Sequence, residues 1–141
     1  VLKNRDLELI SVQEELDFLD AYSFLLKRRF SSCLQIEIKV PAVLRKHLLP
    51  PLSLQMLLEN ALKHNKLSEK EPLQINITAD ERPALVVRNN LQVRSIPSHE
   101  RSGFGLENIR RRYWLIAREK IEVQETDEAF VVTIPLIERA N

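Results

Sequence analysis

Apolar residues recur early in the chain at three- and four-residue intervals. They are Leu16, Leu19, Phe24, Leu25 or Leu26 and Phe30, with Glu14, Glu15, Asp17 and Asp20 interleaved. That period predicts an amphipathic helix over residues 11 to 30. Ser11 followed by Glu14 has the form of a capping box, and Lys27, Arg28 and Arg29 at the other end complement the helix dipole. The period then shortens to two at residues 35 to 40, QIEIKV, where Ile36 and Ile38 alternate with polar neighbours and Pro41 ends the strand. It lengthens again over residues 50 to 65, PPLSLQMLLENALKHN, where Leu54, Leu57, Leu58, Ala61 and Leu62 make one buried stripe. LQINITA after Pro72 and ALVVR from Ala84 read as a hairpin with a polar turn at residues 80 to 83. Residues 89 to 102 keep no period and are expected to form a long loop. Leu106, Ile109, Tyr113 and Ile116 predict a third helix, and residues 120 to 125 and 129 to 136 a closing pair of strands.

Two places carry candidate chemistry. Glu59, Asn60, Lys63 and His64 form a polar cluster on the central helix, and Asn60, Lys63 and His64, at i, i+3 and i+4, are expected to project together. A partly buried Asn there needs partners for its amide oxygen and its NH2, which a metal ion and a polyphosphate would supply. A surface helix with a few polar residues is the other reading of this run taken alone. The second place is SGFGLEN: the chain holds two glycines, Gly103 and Gly105, both just before the third predicted helix. Other turns are made without glycine, so this one needs backbone freedom or close approach, and a helix N-terminus is a ready phosphate site. By itself a GxG most often makes a turn.

The run LLENALKHN resembles the N box of the GHKL ATPase superfamily, and its surroundings resemble the catalytic domain of LytS-type sensor histidine kinases. GFGLEN, with Asn108, matches the GxGLxN form of the second glycine box of that family. Two motifs in the right order are far more specific than either one. The resemblance covers about residues 34 to 137 and implies an α+β fold, the two-layer α/β sandwich called the Bergerat fold. It divides the chain into residues 1 to 33, a linker helix from an upstream dimerisation and phosphoacceptor region, and residues 34 to 141, the ATP-binding catalytic domain. It further implies that Asn60 coordinates Mg²⁺ and Lys63 touches a phosphate, these two being the catalytic residues. Asn60, Lys63, His64, Asn89, Gly103, Gly105 and Leu106 would hold ATP, with residues 91 to 102 as a nucleotide lid.

The sequence departs from that pattern in the first glycine box, where Asn89 stands for the adenine-reading Asp and Leu91 for a Gly. An Asn still offers an acceptor and a donor to adenine. Met56 occupies the place of the Glu found in the water-activating ATPases of the superfamily, so transfer to a His is expected rather than hydrolysis. His47, His64 and His99 lack the context of a phosphoacceptor, which the resemblance places in an upstream region outside this chain. The expected partners are that upstream helix, of the same or a partner subunit, and a response regulator. The full-length protein is expected to be a homodimeric, membrane-anchored kinase with this domain in the cytoplasm. A degenerate pseudokinase acting as an interaction module of the same fold is the alternative, supported by Asn89 and Leu91.

Composition narrows the field further. The 141 residues suit one domain, and a net charge of +1 supplies no field to recruit nucleic acid. Arg110, Arg111 and Arg112 are expected to be solvated on the outer face of a core helix rather than to contact DNA. Cys33 is the single cysteine, so no internal disulfide forms and a reducing compartment is expected. The sequence holds no HExxH or Ser-His-Asp spacing and no paired Cys and His ligands. It starts in helical period without an initiator Met, as a piece cut from something longer would.

Overall fold

The computed structural model describes residues 8 to 92 and 104 to 139. The elements run β1 (Ile10–Ser11), α1 (Val12–Phe30), β2 (Leu34–Ile38), β3 (Leu48–Leu49), α2 (Ser53–His64), β4 (Leu73–Asp80), β5 (Ala84–Asn90), α3 (Phe104–Ala117), β6 (Glu122–Glu125) and β7 (Ala129–Pro135). Five strands form one sheet in the order β2-β4-β5-β7-β6, with β2 parallel to β4 and the other pairs antiparallel. The three helices lie over one face of it.

The strand period explains that arrangement. Ile77, Val87 and Val132 stand opposite one another across β4, β5 and β7, as do Ala79, Leu85 and Ile134 in the next row, so alternate residues of each strand build one apolar face. Leu54, Leu57, Leu58 and Ala61 of α2 close on it together with Ile109 and Tyr113 of α3 and Leu16, Leu19 and Leu26 of α1. Tyr113 is fully buried, and its hydroxyl donates to the carbonyl of Pro135, which satisfies the one polar atom it carries into the core. Burial pushes that phenol far above its usual range, and the Glu15 and Glu119 carboxylates act in the same direction.

The structure corrects several readings. On α1 the buried stripe is Val12, Leu16, Leu19 and Leu26, with Phe30 partly buried, whereas Phe24 is 60% and Leu25 64% exposed. The phase of the helix puts Leu26, not Leu25, on the inner face, three residues and just under one turn beyond the buried Ser23. Glu15 is buried among these apolar residues instead of lying on the solvated side with Asp17 and Asp20. The capping box forms in part: the amide of Glu14 donates to the Ser11 hydroxyl, but the Glu14 carboxylate accepts from that same hydroxyl. Strand β5 continues through Asn89 and Asn90, because both pair with β7, at Phe130 and Ala129. The long loop therefore starts later than the sequence predicts. Two short strands, β1 and β3, pair with each other, and Leu48 also bridges Ile137. Arg112 is half-buried, with its guanidinium donating to the carbonyl of Pro51, while Arg110 and Arg111 are exposed as expected.

Candidate nucleotide site

On α2 the apolar stripe faces the sheet, and that fixes where the polar cluster points. Asn60 is half-buried, His64 is 9% exposed, and Glu59 and Lys63 are exposed. Beneath the second half of this helix lies the end of β5. Its inward positions run Leu85, Val87, Asn89, so the strand period that makes the core also turns the Asn89 amide toward α2. Asn89 is 3% exposed and sits in the row Ile75–Asn89–Phe130, a polar residue where an apolar one would continue the core. Burying an amide there costs free energy unless it finds partners. One is in place: the Asn89 Nδ2 donates to the carbonyl of Asn90 at 2.8 Å, leaving its second N–H and its oxygen for other use.

Asn60, Ala61, His64, Asn65, Asn89, Leu91, Glu125 and Phe130 surround a cavity that encloses about 360 Å³ of space free of protein atoms, open solvent included. The part of it that the centre of a water-sized sphere can reach is about 30 Å³, room for a few waters and well below the range of ligand pockets. The structure thus brings Asn60, His64 and Asn89 together from α2 and β5. Lys63 stands on the exposed side of α2 and does not line the cavity, a correction to the expectation that all three helix residues project as one group. Leu106 is buried in the core, away from the cavity lining. Gly105 belongs to the first turn of α3, while Gly103 and residues 93 to 102 lie outside the described residues. His47 is half-buried, with its backbone carbonyl accepting from Val12.

Three residues of the lining, Asn65, Glu125 and Phe130, escaped the sequence reading. Asn65 is 2% exposed and staples the end of α2 to the strand exit, its Nδ2 donating to the carbonyl of Ala61 at 2.9 Å and its Oδ1 accepting from the amide of Gln92 at 2.8 Å. The amide of Lys66 adds a bond to the Gln92 carbonyl at 2.7 Å. Asn65 leaves the helix in extended backbone, so its side chain alone makes the staple, and no local sequence signal marks it. Glu125 and Phe130 arrive from β6 and β7, and Leu91 from the exit of β5, where its amide donates to the Glu128 carbonyl. Asn90 is occupied structurally: its Oδ1 accepts from Gln74 and its Nδ2 donates to Pro72.

The other end of α2 is held from outside. Its N-cap, Leu52, has no side-chain cap, and the buried Glu15 of α1 accepts from the amides of Leu52 and Leu54, each at 2.9 Å. Burial pushes the Glu15 carboxyl above its usual value, opposed by the Leu54 and Leu52 amides and by the Arg112 guanidinium. Near the middle of the helix, the Tyr22 hydroxyl donates to Glu59, and partial burial with the Glu59 charge pushes that phenol up to about 12.

No protein-family model matches the chain. It is 38% identical over 60 residues to the sensor histidine kinase BtsS of Escherichia coli (strain K12), an alignment that covers 43% of this chain and 11% of the relative. It is 29% identical over 149 residues to the sensor protein LytS of Oceanobacillus iheyensis, covering 93% of this chain and 26% of that protein. The chain spans about a tenth to a quarter of the length of these curated relatives. Among solved structures, the catalytic domain of histidine kinase ThkA superposes with a TM-score of 0.61 at 16% identity, over 90% of this chain and 93% of that one. The fold is therefore that of histidine kinase catalytic domains, the α/β sandwich that the two motifs imply. The resemblance to LytS-type sensor histidine kinases holds at the level of sequence as well.

Proposed function

We propose that this chain is the ATP-binding catalytic domain of a sensor histidine kinase of the LytS type, with the cavity between α2 and the end of β5 as its nucleotide site. The observation that carries this is the convergence of Asn60, from the N-box run, and Asn89, from the place of the first glycine box, on a single cavity in a histidine kinase fold. Phe130 and Leu91 offer apolar contact to a purine, and the free hydrogen-bonding capacity of Asn89 reads its edge. Glu125 brings a carboxylate to the same lining, which directs the polyphosphate away from it and toward Asn60. A Mg²⁺ ion keeps several waters and takes few protein ligands beside substrate phosphates, so the amide oxygen of Asn60 suffices as the protein contribution. When bound, the metal neutralises charge on the transferring phosphoryl group. The chain itself binds, orients and shields. Lys63, on the outer face of α2, reaches a phosphate only by extending its long side chain over the rim.

The γ-phosphoryl group would pass to a His in a region upstream of this chain, and from there to a response regulator. Among the described residues no helix is long and apolar enough to cross a membrane. The pseudokinase alternative keeps the fold and loses the ligand. A thermal-shift titration with Mg-ADP and a non-hydrolysable ATP analogue separates the two, because a ligand of the folded state alone raises the melting temperature with concentration. A melting temperature indifferent to both nucleotides decides for the interaction module.

Asn89 carries a second expectation. A neutral amide in place of a carboxylate loses a charge-assisted hydrogen bond to the adenine amino group, so Asn89→Asp raises nucleotide affinity by about tenfold, if the burial of the new charge is offset by that bond. Asn89→Ala lowers it. Calorimetric titration of both variants with ADP checks this, and equal affinities in all three proteins would remove Asn89 from the adenine contact.

A further inference from the structure

We propose that Glu15 is a positioning residue for the nucleotide site: from α1 it caps the bare N-terminus of α2, and so sets where Asn60 stands. This rests on the reading of the cavity as a nucleotide site. Four observations lead to it. Leu52 precedes α2 in the left-handed region, at φ 67° and ψ 10°, a conformation that disfavours a residue with a Cβ and that persists only where its surroundings hold it. The α2 sequence supplies no cap of its own, since the Ser53 hydroxyl is turned back to donate to the carbonyl of Pro50 at 2.6 Å. The N-terminal amides that every helix leaves without partners are met here by both oxygens of one carboxylate, buried to 2% exposure, from another helix. Finally, the Arg112 guanidinium of α3 holds the same turn through two bonds to the Pro51 carbonyl, at 3.2 and 2.9 Å.

The turn ahead of α2 is thereby gripped by α1 and α3 at once. A helix is stiff along its axis, so displacing its first turn displaces the face seven residues on, where Asn60 lies. The Tyr22 bond to Glu59, adjacent to Asn60 in sequence, makes a second link from α1 to α2. A rotation of α1 would reach the cavity through both links. The occupied cap also decides a point about the ligand: the amides of Leu52 and Leu54 are taken by Glu15, so the N-terminus of α2 is closed to phosphate.

The test uses Glu15→Gln, whose carboxamide keeps one acceptor and turns an NH2 toward backbone donors. Its comparison is Leu26→Ala, a core truncation about three turns further along α1 that lowers stability without touching the α2 cap. The expected result is that Glu15→Gln melts cooperatively, binds Mg-ADP about five- to tenfold more weakly, and loses most of that difference in an Asn60→Ala background. The NMR resonances of the Asn60 side-chain amide, recorded without nucleotide, shift in Glu15→Gln and stay in place in Leu26→Ala. Asn60 resonances unmoved by Glu15→Gln overturn the proposal, as does an affinity loss that merely follows the loss of stability in both variants. If wild type itself fails to bind Mg-ADP, the nucleotide reading falls, and the ligand-free resonances still decide whether Glu15 positions Asn60. Should Glu15→Gln not fold, Glu15→Asp, which keeps the charge and shortens its reach, is read by the same resonances.

Discussion

Replacing Asn60 with Ala is expected to abolish the magnesium-dependent part of nucleotide affinity and leave the fold intact. The side chain is half-buried at the cavity and lies off the apolar stripe of α2, so no core contact is lost, and Ala has the higher helix propensity. On the proposed reading, what is lost is the one neutral oxygen that would face the divalent cation. Hydrogen bonds and contacts to charged groups contribute about 1.5 to 3 kcal/mol, so the metal-dependent affinity should fall by roughly ten- to a hundredfold. Asn60→Asp keeps an oxygen but adds a charge beside the polyphosphate, and its affinity is expected to lie between wild type and the Ala variant. The measurement is ADP affinity with and without Mg²⁺ in each protein. An equal gain from Mg²⁺ in wild type and Asn60→Ala shows that the metal is held elsewhere.

Leu58→Ala carries the largest expected loss of stability. Leu58 is fully buried between α2 and the sheet, and removing such a side chain costs the transfer of its methyl groups and leaves a cavity, together about 2 to 5 kcal/mol. That is a large share of the roughly 5 to 15 kcal/mol that holds a domain folded. The urea midpoint should drop with little change in slope. Phe24→Ala removes a larger side chain but one that is 60% exposed, and it is expected to change stability by no more than about 0.5 kcal/mol. If Phe24→Ala costs as much as Leu58→Ala, the rotational phase of α1 described above is wrong.

The local order of helices and strands, the stripe Leu54, Leu57, Leu58 and Ala61, and the strand faces of β4, β5 and β7 were all legible in the chain, because each follows from a period of 3.6 or 2. The capping position of Ser11 was legible for the same local reason. So was the family resemblance, which rests on short runs of residues rather than on contacts. The period leaves an ambiguity where apolar residues are adjacent, as at Phe24, Leu25 and Leu26, and only packing against the sheet chose Leu26. Two-residue strands such as β1 and β3 are too short to show any period.

The candidate site divides along the same line. That Asn60 and Asn89 matter could be read from the motifs, and that Asn89 points inward could have been read by extending the alternation Leu85, Val87 by one step. What joins them is tertiary: Glu125 and Phe130 enter the cavity because β6 and β7 pair next to β5, an order that no local pattern states. Lys63 left the lining because a step of three residues from Asn60 rotates it toward solvent once the stripe is seated. Glu15 looked like one more charge on a solvated face. Its burial and its bonds to the α2 amides depend on how two helices cross, and contacts between residues distant in sequence are chosen by the packing of the whole core rather than by the composition of either segment.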